Sequence, residues 1–252
     1  MIEEIWLIPL GFFAGLLGSI IGLGGGIIIV PVLTFLGFPP TVAVSNSLFA
    51  VFSNAVSSSL SYAKQKRIEY SIGIRLGLLS IPGSVLGAFI SVEITSTLFK
   101  ILFAFILVSA SIYIFSKRKI ESKGYNKSKQ VLVFAFSASF FAGIISGLFG
   151  VGGGIIFVPV MVILMGMMMK NAAPTSQFIL LFAASSGLIT HIFLGNPEYA
   201  QALFLAAGAF VGGLVGARLS LEIKENGMKI LIMLVMIAVA VKFFIDSLEV
   251  SF

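Results

Sequence analysis

The chain has no cysteine, one histidine (His191) and one aspartate (Asp246), and only 10% of its residues are charged. The missing cysteine removes disulfides, thiolate metal sites and thiol catalysis, and leaves the redox compartment open. With one histidine and no carboxylate cluster, no metal site is expected. A single aspartate excludes a paired-aspartate intramembrane protease, and the absence of a Gly-x-Ser-Gly sequence argues against a serine protease. No enzyme chemistry is therefore expected, and no cofactor; a dinucleotide fingerprint at Gly22–Gly26 would need a βαβ unit that the surrounding residues do not provide. A soluble domain carries about 25% charged residues. This chain, at 58% apolar and a mean hydropathy of +1.13, cannot cover a water-facing surface. Its solvent is lipid.

What is present is a series of apolar blocks, near 5–38, 41–63, 70–92, 94–116, 130–169, 172–194, 199–221 and 228–248. Six are close to the roughly 20 residues that span a bilayer as a helix. The first and fifth are too long for one span and contain glycine strings, so broken helices are expected there. The first residues lack the basic region of a cleavable signal, which makes the whole chain membrane domain. The fold class expected is an all-α polytopic protein of the cell membrane.

The chain is duplicated. Phe12-Phe13-Ala14-Gly15 recurs 128 residues later as Phe140-Phe141-Ala142-Gly143; Gly22-Leu23-Gly24-Gly25-Gly26 matches Gly150-Val151-Gly152-Gly153-Gly154, and Pro31 matches Pro159. After one extra residue the spacing becomes 129. Asn46-Ser47 then falls on Thr175-Ser176, Glu69-Tyr70 on Glu198-Tyr199, and Gly83 and Gly87 on Gly212 and Gly216. The organisation expected is a first repeat at 5–116, a basic cytoplasmic linker at 117–129 and a second repeat at 130–248. Each repeat has a broken or re-entrant first helix followed by three transmembrane helices. Six of the sixteen basic residues lie in that linker, as the positive-inside rule expects of a cytoplasmic loop. This distribution, with no recognition motif beside it, sets nucleic acid aside. If each long block makes no net crossing, the basic regions 64–67, 117–129, 170 and 218–229 all fall on one side, and the repeats are inverted.

The glycine strings followed by Pro31 and Pro159, with Ala43-Val44-Ser45-Asn46-Ser47-Leu48 and Ala172-Ala173-Pro174-Thr175-Ser176 downstream, resemble the sulfite exporter TauE/SafE family, and Gly83-xxx-Gly87-Ala88 and Gly212-xxx-Gly216-Ala217-Arg218 resemble its pattern too. The resemblance covers about residues 9 to 245. It implies a transporter, an exporter in the first instance, of small sulfur-containing anions such as sulfite, thiosulfate or organosulfonates. The family's Thr-Ser pair stands at Thr175-Ser176 but reads Asn46-Ser47 in the first half, so specificity is not carried over.

The candidate substrate site follows from the paired breaks. Glycine-interrupted segments at corresponding positions of two repeats point to a transporter's midplane site, and a broken helix frees N–H groups that lipid cannot satisfy. Gly24, Gly25 and Gly26 with Gly152, Gly153 and Gly154 are the backbone candidates. Asn46, Ser47, Thr175, Ser176 and Gln177, read as lying near the starts of their blocks, are the side-chain candidates, either as oxyanion donors or as helix caps. Ser53, Asn54, Ser57, Ser58 and Ser61 form a polar stripe facing a cavity or a neighbouring helix. Arg75 and His191 are candidates for a fixed charge or a coupling group, though snorkelling suits Arg75 and an interfacial hydrogen bond suits His191. Small-residue packing is the competing reading of the glycines. Three function classes remain: an alternating-access carrier, a passive anion channel, and a non-transporting scaffold. The expected partners are a small anion and the bilayer; oligomeric state is open.

Overall fold

A computed structural model of the chain describes residues 4–116 and 128–223, together with 227, 234, 237 and 241. Most of the basic linker and most of the eighth apolar block lie outside these. The described residues form nine α-helices and no strand. These are α1 (Leu7–Ile21), α2 (Gly26–Phe35), α3 (Pro40–Lys64), α4 (Tyr70–Glu93), α5 (Ser96–Ser116), α6 (Lys129–Phe149), α7 (Gly154–Pro159), α8 (Met169–Phe193) and α9 (Tyr199–Leu219). Four of them, α4, α6, α8 and α9, are long and apolar enough to cross a membrane; α1, α2 and α7 are shorter apolar helices, and the Ser96–Ser109 stretch of α5 is apolar too. The 25-residue α3 is the polar one. Its Ser45, Asn46, Ser47, Asn54, Ser57 and Ser58 are all fully buried in the protein, so lipid does not meet them. The protein is a multi-pass membrane protein.

Both long blocks are broken where the glycines stand. Gly22 ends α1 and Gly150 ends α6, each in the left-handed region (φ 87° and 69°) that a side chain disfavours. The chain then turns back along the helix it has just left. A Cβ on Gly25 would lie 2.6 Å from the carbonyl oxygen of Ala14, and one on Gly153 would lie 2.6 Å from that of Ala142. After Pro159 the second half holds a π turn at Val160–Leu164, which the first half lacks. A π turn is one residue looped out of a helix, and it lies in the stretch where the spacing between the halves grows from 128 to 129.

Residue pairs set the helix directions. Gly11 and Gly15 of α1 sit against the backbone of Leu205 and Ala209 in α9, so these helices are parallel. Gly143 and Gly147 of α6 sit likewise against Ser80 and Ser84 of α4. Along α3 and α9 the paired residues rise together, from Asn46–Gln201 through Ser53–Ala206 to Gln65–Ala217. Along α3 and α8 they run the other way: Leu48 meets Gly187 while Ser58 meets Gln177. Helices α1, α3 and α9 therefore point one way and α4, α6 and α8 the other. Because α1 and α3 are parallel and joined through α2, the chain returns toward the start of α1 before α3 begins.

The tight helix pairs are built on small residues. A Cβ on Gly208 or Gly212 would strike the carbonyls of Ile8 or Phe12, and one on Gly83 or Gly87 those of Phe140 or Ile144. The packing reading of Gly11-xxx-Gly15 and Gly208-xxx-Gly212 is thus how those glycines are used. In lipid there is no hydrophobic drive between helices, and close backbone approach supplies dispersion contact instead.

At one end of the bundle Arg67 donates from Nε to the carbonyl of Lys170 (2.9 Å) and from Nη1 to Ser220 Oγ (2.9 Å), and Gln65 donates to the carbonyl of Ala217 (3.1 Å). Lys64, Lys66, Arg67, Lys170 and Arg218 converge there. Burial pulls the Arg67 guanidinium below its ordinary value, and its face lies 5.2 Å from the Tyr62 ring centroid. The opposite end holds Trp6, Glu93 and the turn Gly195–Glu198.

Candidate functional site

The two glycine breaks meet at the centre, where every residue from Gly22 to Ile27 and from Gly150 to Ile155 is buried. Gly26 packs on Gly150 and Val151, and Gly154 on Gly22 and Leu23. Gly24 and Gly152 both face the same two side chains, Val51 of α3 and Leu180 of α8. Among the described residues no group accepts a hydrogen bond from the N–H of Gly25, Gly26 or Ile27, nor from that of Gly153, Gly154 or Ile155. Buried backbone donors without a partner are rare in folded proteins.

The contacts around the breaks come in matched pairs. Ser47 Oγ donates to the carbonyl of Gly150 (2.9 Å), and Ser176 Oγ donates to that of Gly22 (2.7 Å). The Glu198 N–H donates to Asn46 Oδ1 and the Glu69 N–H to Thr175 Oγ1, both at 3.0 Å. Tyr62 donates to the carbonyl of Ser19 (2.8 Å), and His191 Nε2 to that of Gly147 (3.0 Å). Tyr70 meets Phe178 edge-on as Tyr199 meets Phe49. In every case the second contact is the first with each residue moved to its equivalent in the other half.

The structure thus brings Gly24, Gly25, Gly26, Gly152, Gly153, Gly154, Ser47, Ser176 and Gln177 into one cluster. Asn46 and Thr175 lie further out, toward opposite ends. None of the five side chains caps its own helix: α3 starts at Pro40 and α8 at Met169, so they lie well inside. The apolar blocks at 41–63 and 172–194 begin close to these helix starts; the cap reading fails because the five residues stand more than a turn inside. Asn46 and Thr175 instead accept from the N–H groups of Glu198 and Glu69, the N-cap residues of α9 and α4, whose own side chains make no cap bond. Arg75 is on the exposed face of α4, away from the cluster. His191 is fully buried near the end opposite the basic residues; since a carbonyl only accepts, Nε2 carries the proton toward Gly147, and Nδ1 accepts from Asn196 Nδ2 (3.0 Å). Among the described residues no three of His, Cys, Asp and Glu come together as a metal would need. The glycine carbonyls that Ser47 and Ser176 hold were not predicted as partners, although the repeat of Gly22 at Gly150 marked them as equivalent.

Because each serine serves a buried carbonyl, Ser47→Ala and Ser176→Ala should each lower stability by about 1–3 kcal/mol, the cost of leaving a buried acceptor unmet. The two losses should be alike, as measured by thermal melts in detergent. A loss in one variant alone would mean that the matched contacts differ in strength.

Residues 7–243 match the family profile described as Sulfite exporter TauE/SafE. The chain is 33% identical to the probable membrane transporter protein YunE of Bacillus subtilis, over 92% of this chain and 94% of that one. It is 31% identical to a probable membrane transporter protein of Methanocaldococcus jannaschii, over 90% of each chain. It is 28% identical to the probable membrane transporter protein ORF9 of a Sinorhizobium species, over 96% of this chain and 92% of that one. No solved structure matches the chain.

Proposed function

The chain belongs to the sulfite exporter TauE/SafE family, and on that premise we propose that it is a secondary transporter that moves small, sulfur-containing anions across the cell membrane by alternating access, in the export direction. Sulfite, thiosulfate and organosulfonates are the first substrates to try. The observation that carries the reading is the meeting of two glycine breaks in the buried centre, each bringing backbone N–H groups that no group among the described residues accepts. Backbone donors at a helix break suit an anion by both hydrogen bonding and dipole.

Two inverted repeats, 5–116 and 130–248 about the linker 117–129, fit the geometry. Equivalent helices α1 and α6, α3 and α8, and α4 and α9 run antiparallel, and the contacts exchange in pairs, as across a twofold axis. An axis between antiparallel helices lies across them, in the plane of the membrane. The convergence of Lys64, Lys66, Arg67, Lys170 and Arg218 makes that end cytoplasmic. In this arrangement Gly24–Gly26, Gly152–Gly154, Ser47, Ser176 and Gln177 contact the anion once the breaks part, while Asn46 and Thr175 anchor the elements on either side. The breaks touch backbone to backbone, so passage requires them to separate, which favours a carrier over a passive channel.

Glu69 and Glu198 are exposed and equivalent, so they report orientation from the same local setting. In this cysteine-free chain, an impermeant maleimide should label Glu198→Cys from outside intact cells and Glu69→Cys only in inside-out vesicles. Labelling of both from one side would rule out inverted repeats. Counterflow in sealed proteoliposomes tests the transport itself: a trans load of sulfite, thiosulfate or methanesulfonate should drive uphill uptake of labelled tracer. Tracer that only equilibrates would identify a channel, and no flux with any of the three would leave a scaffold.

A further inference from the structure

On the flank of the bundle, α5, α6 and the stretch after the second break enclose a groove of about 610 Å³. Its walls carry Phe105 and Ile106 of α5, Phe134 and Phe141 of α6, and Ile156 and Leu164 beyond the break. Of the lining residues only Ser109 and Ser137 are polar. Phe105, Phe134 and Phe141 are 70%, 60% and 59% exposed, so the groove opens outward, where lipid is the solvent. Val160 and Leu164 of the π turn form part of one wall, and the first half lacks that turn. Such turns are rare and concentrate at functional positions.

The groove points toward the most basic stretch of the chain. Ser109 and Phe105 precede Ser116, the last residue of α5, by 7 and 11 residues. Phe134 and Phe141 follow Lys129, the first residue of α6, by 5 and 12. At about 1.5 Å per residue, the groove runs from roughly 8 to roughly 18 Å below these helix ends. That is the depth of the acyl chains of one leaflet, whose hydrocarbon is about 15 Å thick. Residues 117–129, which join the two helices, hold Lys117, Arg118, Lys119, Lys123, Lys127 and Lys129 against one acid, Glu121. Lys117 is bonded to the end of α5 and Lys129 opens α6, so covalent continuity ties this charge to the groove's end of the bundle.

We propose that the groove is a binding site for an anionic phospholipid. One acyl chain lies between α5, α6 and the π turn, and the phosphate meets the basic side chains of 117–129. Clusters of four to eight Lys or Arg directly beside a membrane helix attract acidic headgroups, each contact being worth about fivefold in binding. An apolar groove alone takes any acyl chain, and a basic loop alone draws any anion to the surface. The two stacked select a molecule that carries both. A zwitterionic lipid can fill the groove with the same chain, but it brings a cation of its own to the lysines. The site does not depend on what the central breaks transport.

The chain has one tryptophan, Trp6, at the far end, which makes a local optical test possible. In a Trp6→Phe background, Phe141→Trp or Phe105→Trp puts the only indole in the groove. The full chain is reconstituted in phosphatidylcholine vesicles with increasing shares of phosphatidylglycerol or phosphatidylcholine brominated on the acyl chain. Brominated phosphatidylglycerol should quench either indole half-maximally at a share at least about fivefold below that of brominated phosphatidylcholine. Leu78→Trp is the control at equal depth. Ser80 and Ser84 of α4 sit level with Gly143 and Gly147, so Leu78 is level with Phe141, on an exposed face outside the groove. There the two lipids should quench alike. Lys117→Gln, Arg118→Gln and Lys119→Gln together should remove most of the preference in the groove, and Lys64→Gln with Lys66→Gln should leave it. Equal quenching in the groove by the two lipids overturns the proposal. So does the same preference at Leu78→Trp, which would mean diffuse attraction to a charged surface. Groove indoles that neither lipid quenches overturn it too, because a second copy or another segment of the chain would then fill the space.

Discussion

Gly26→Ala and Gly154→Ala should each yield a chain that does not accumulate as monodisperse protein in detergent. The added methyl at Gly26 falls on the carbonyl of Gly150 and 2.8 Å from the Cα of Val151; at Gly154 it falls on the carbonyl of Gly22 and 2.7 Å from the Cα of Leu23. Overpacking a core costs roughly 1–3 kcal/mol when side chains can shift, and more when they cannot. Here the obstacle is backbone, and both breaks must move together because each packs on the other. Against a total stability of about 5–15 kcal/mol, that is enough to remove the fold. Gly25 has φ 91° and Gly153 φ 78°, and both face backbone carbonyls, so alanine there should fail at folding as well. Wild-type melting of Gly26→Ala would show that the breaks do not touch.

The second large effect should appear at the helix pairs. Gly83→Val and Gly212→Val should each cost at or above the roughly 3 kcal/mol that overpacking commonly reaches. The first forces α4 away from Phe140 of α6, and the second forces α9 away from Phe12 of α1. Since these contacts are equivalent, the two losses should match. Gly37→Ala is the control: nothing lies within 4 Å of its added methyl, and only its φ of 89° opposes the change, at about 1–2 kcal/mol. Thermal melts should therefore rank Gly37→Ala well above both valine variants. If all three melt together, the close approach of these helices is not what holds the bundle.

The sequence alone determined the solvent and the plan. Apolar blocks of bilayer length and a charged fraction of 10% admit only a membrane helix bundle, because charge and span length are local properties read without knowing any contact. The broken helices were equally legible: Gly22 and Gly150 end helices in a backbone geometry that is intrinsic to glycine. The duplication was visible because both halves keep the same residues at the same spacing. Contact partners were not visible. Asn46 and Thr175 read as caps of their own helices, yet they satisfy α9 and α4, more than a hundred residues away. Arg75 read as a charge candidate, but the rotation of α4 turns it outward. Ser53 to Ser61 read as one polar stripe, and the tertiary structure divides it. Ser53 bonds the carbonyl of Ala206 in α9, whereas Asn54 and Ser58 meet Gln177 beside the break. A side chain's partner depends on the direction and rotation of helices that only packing sets.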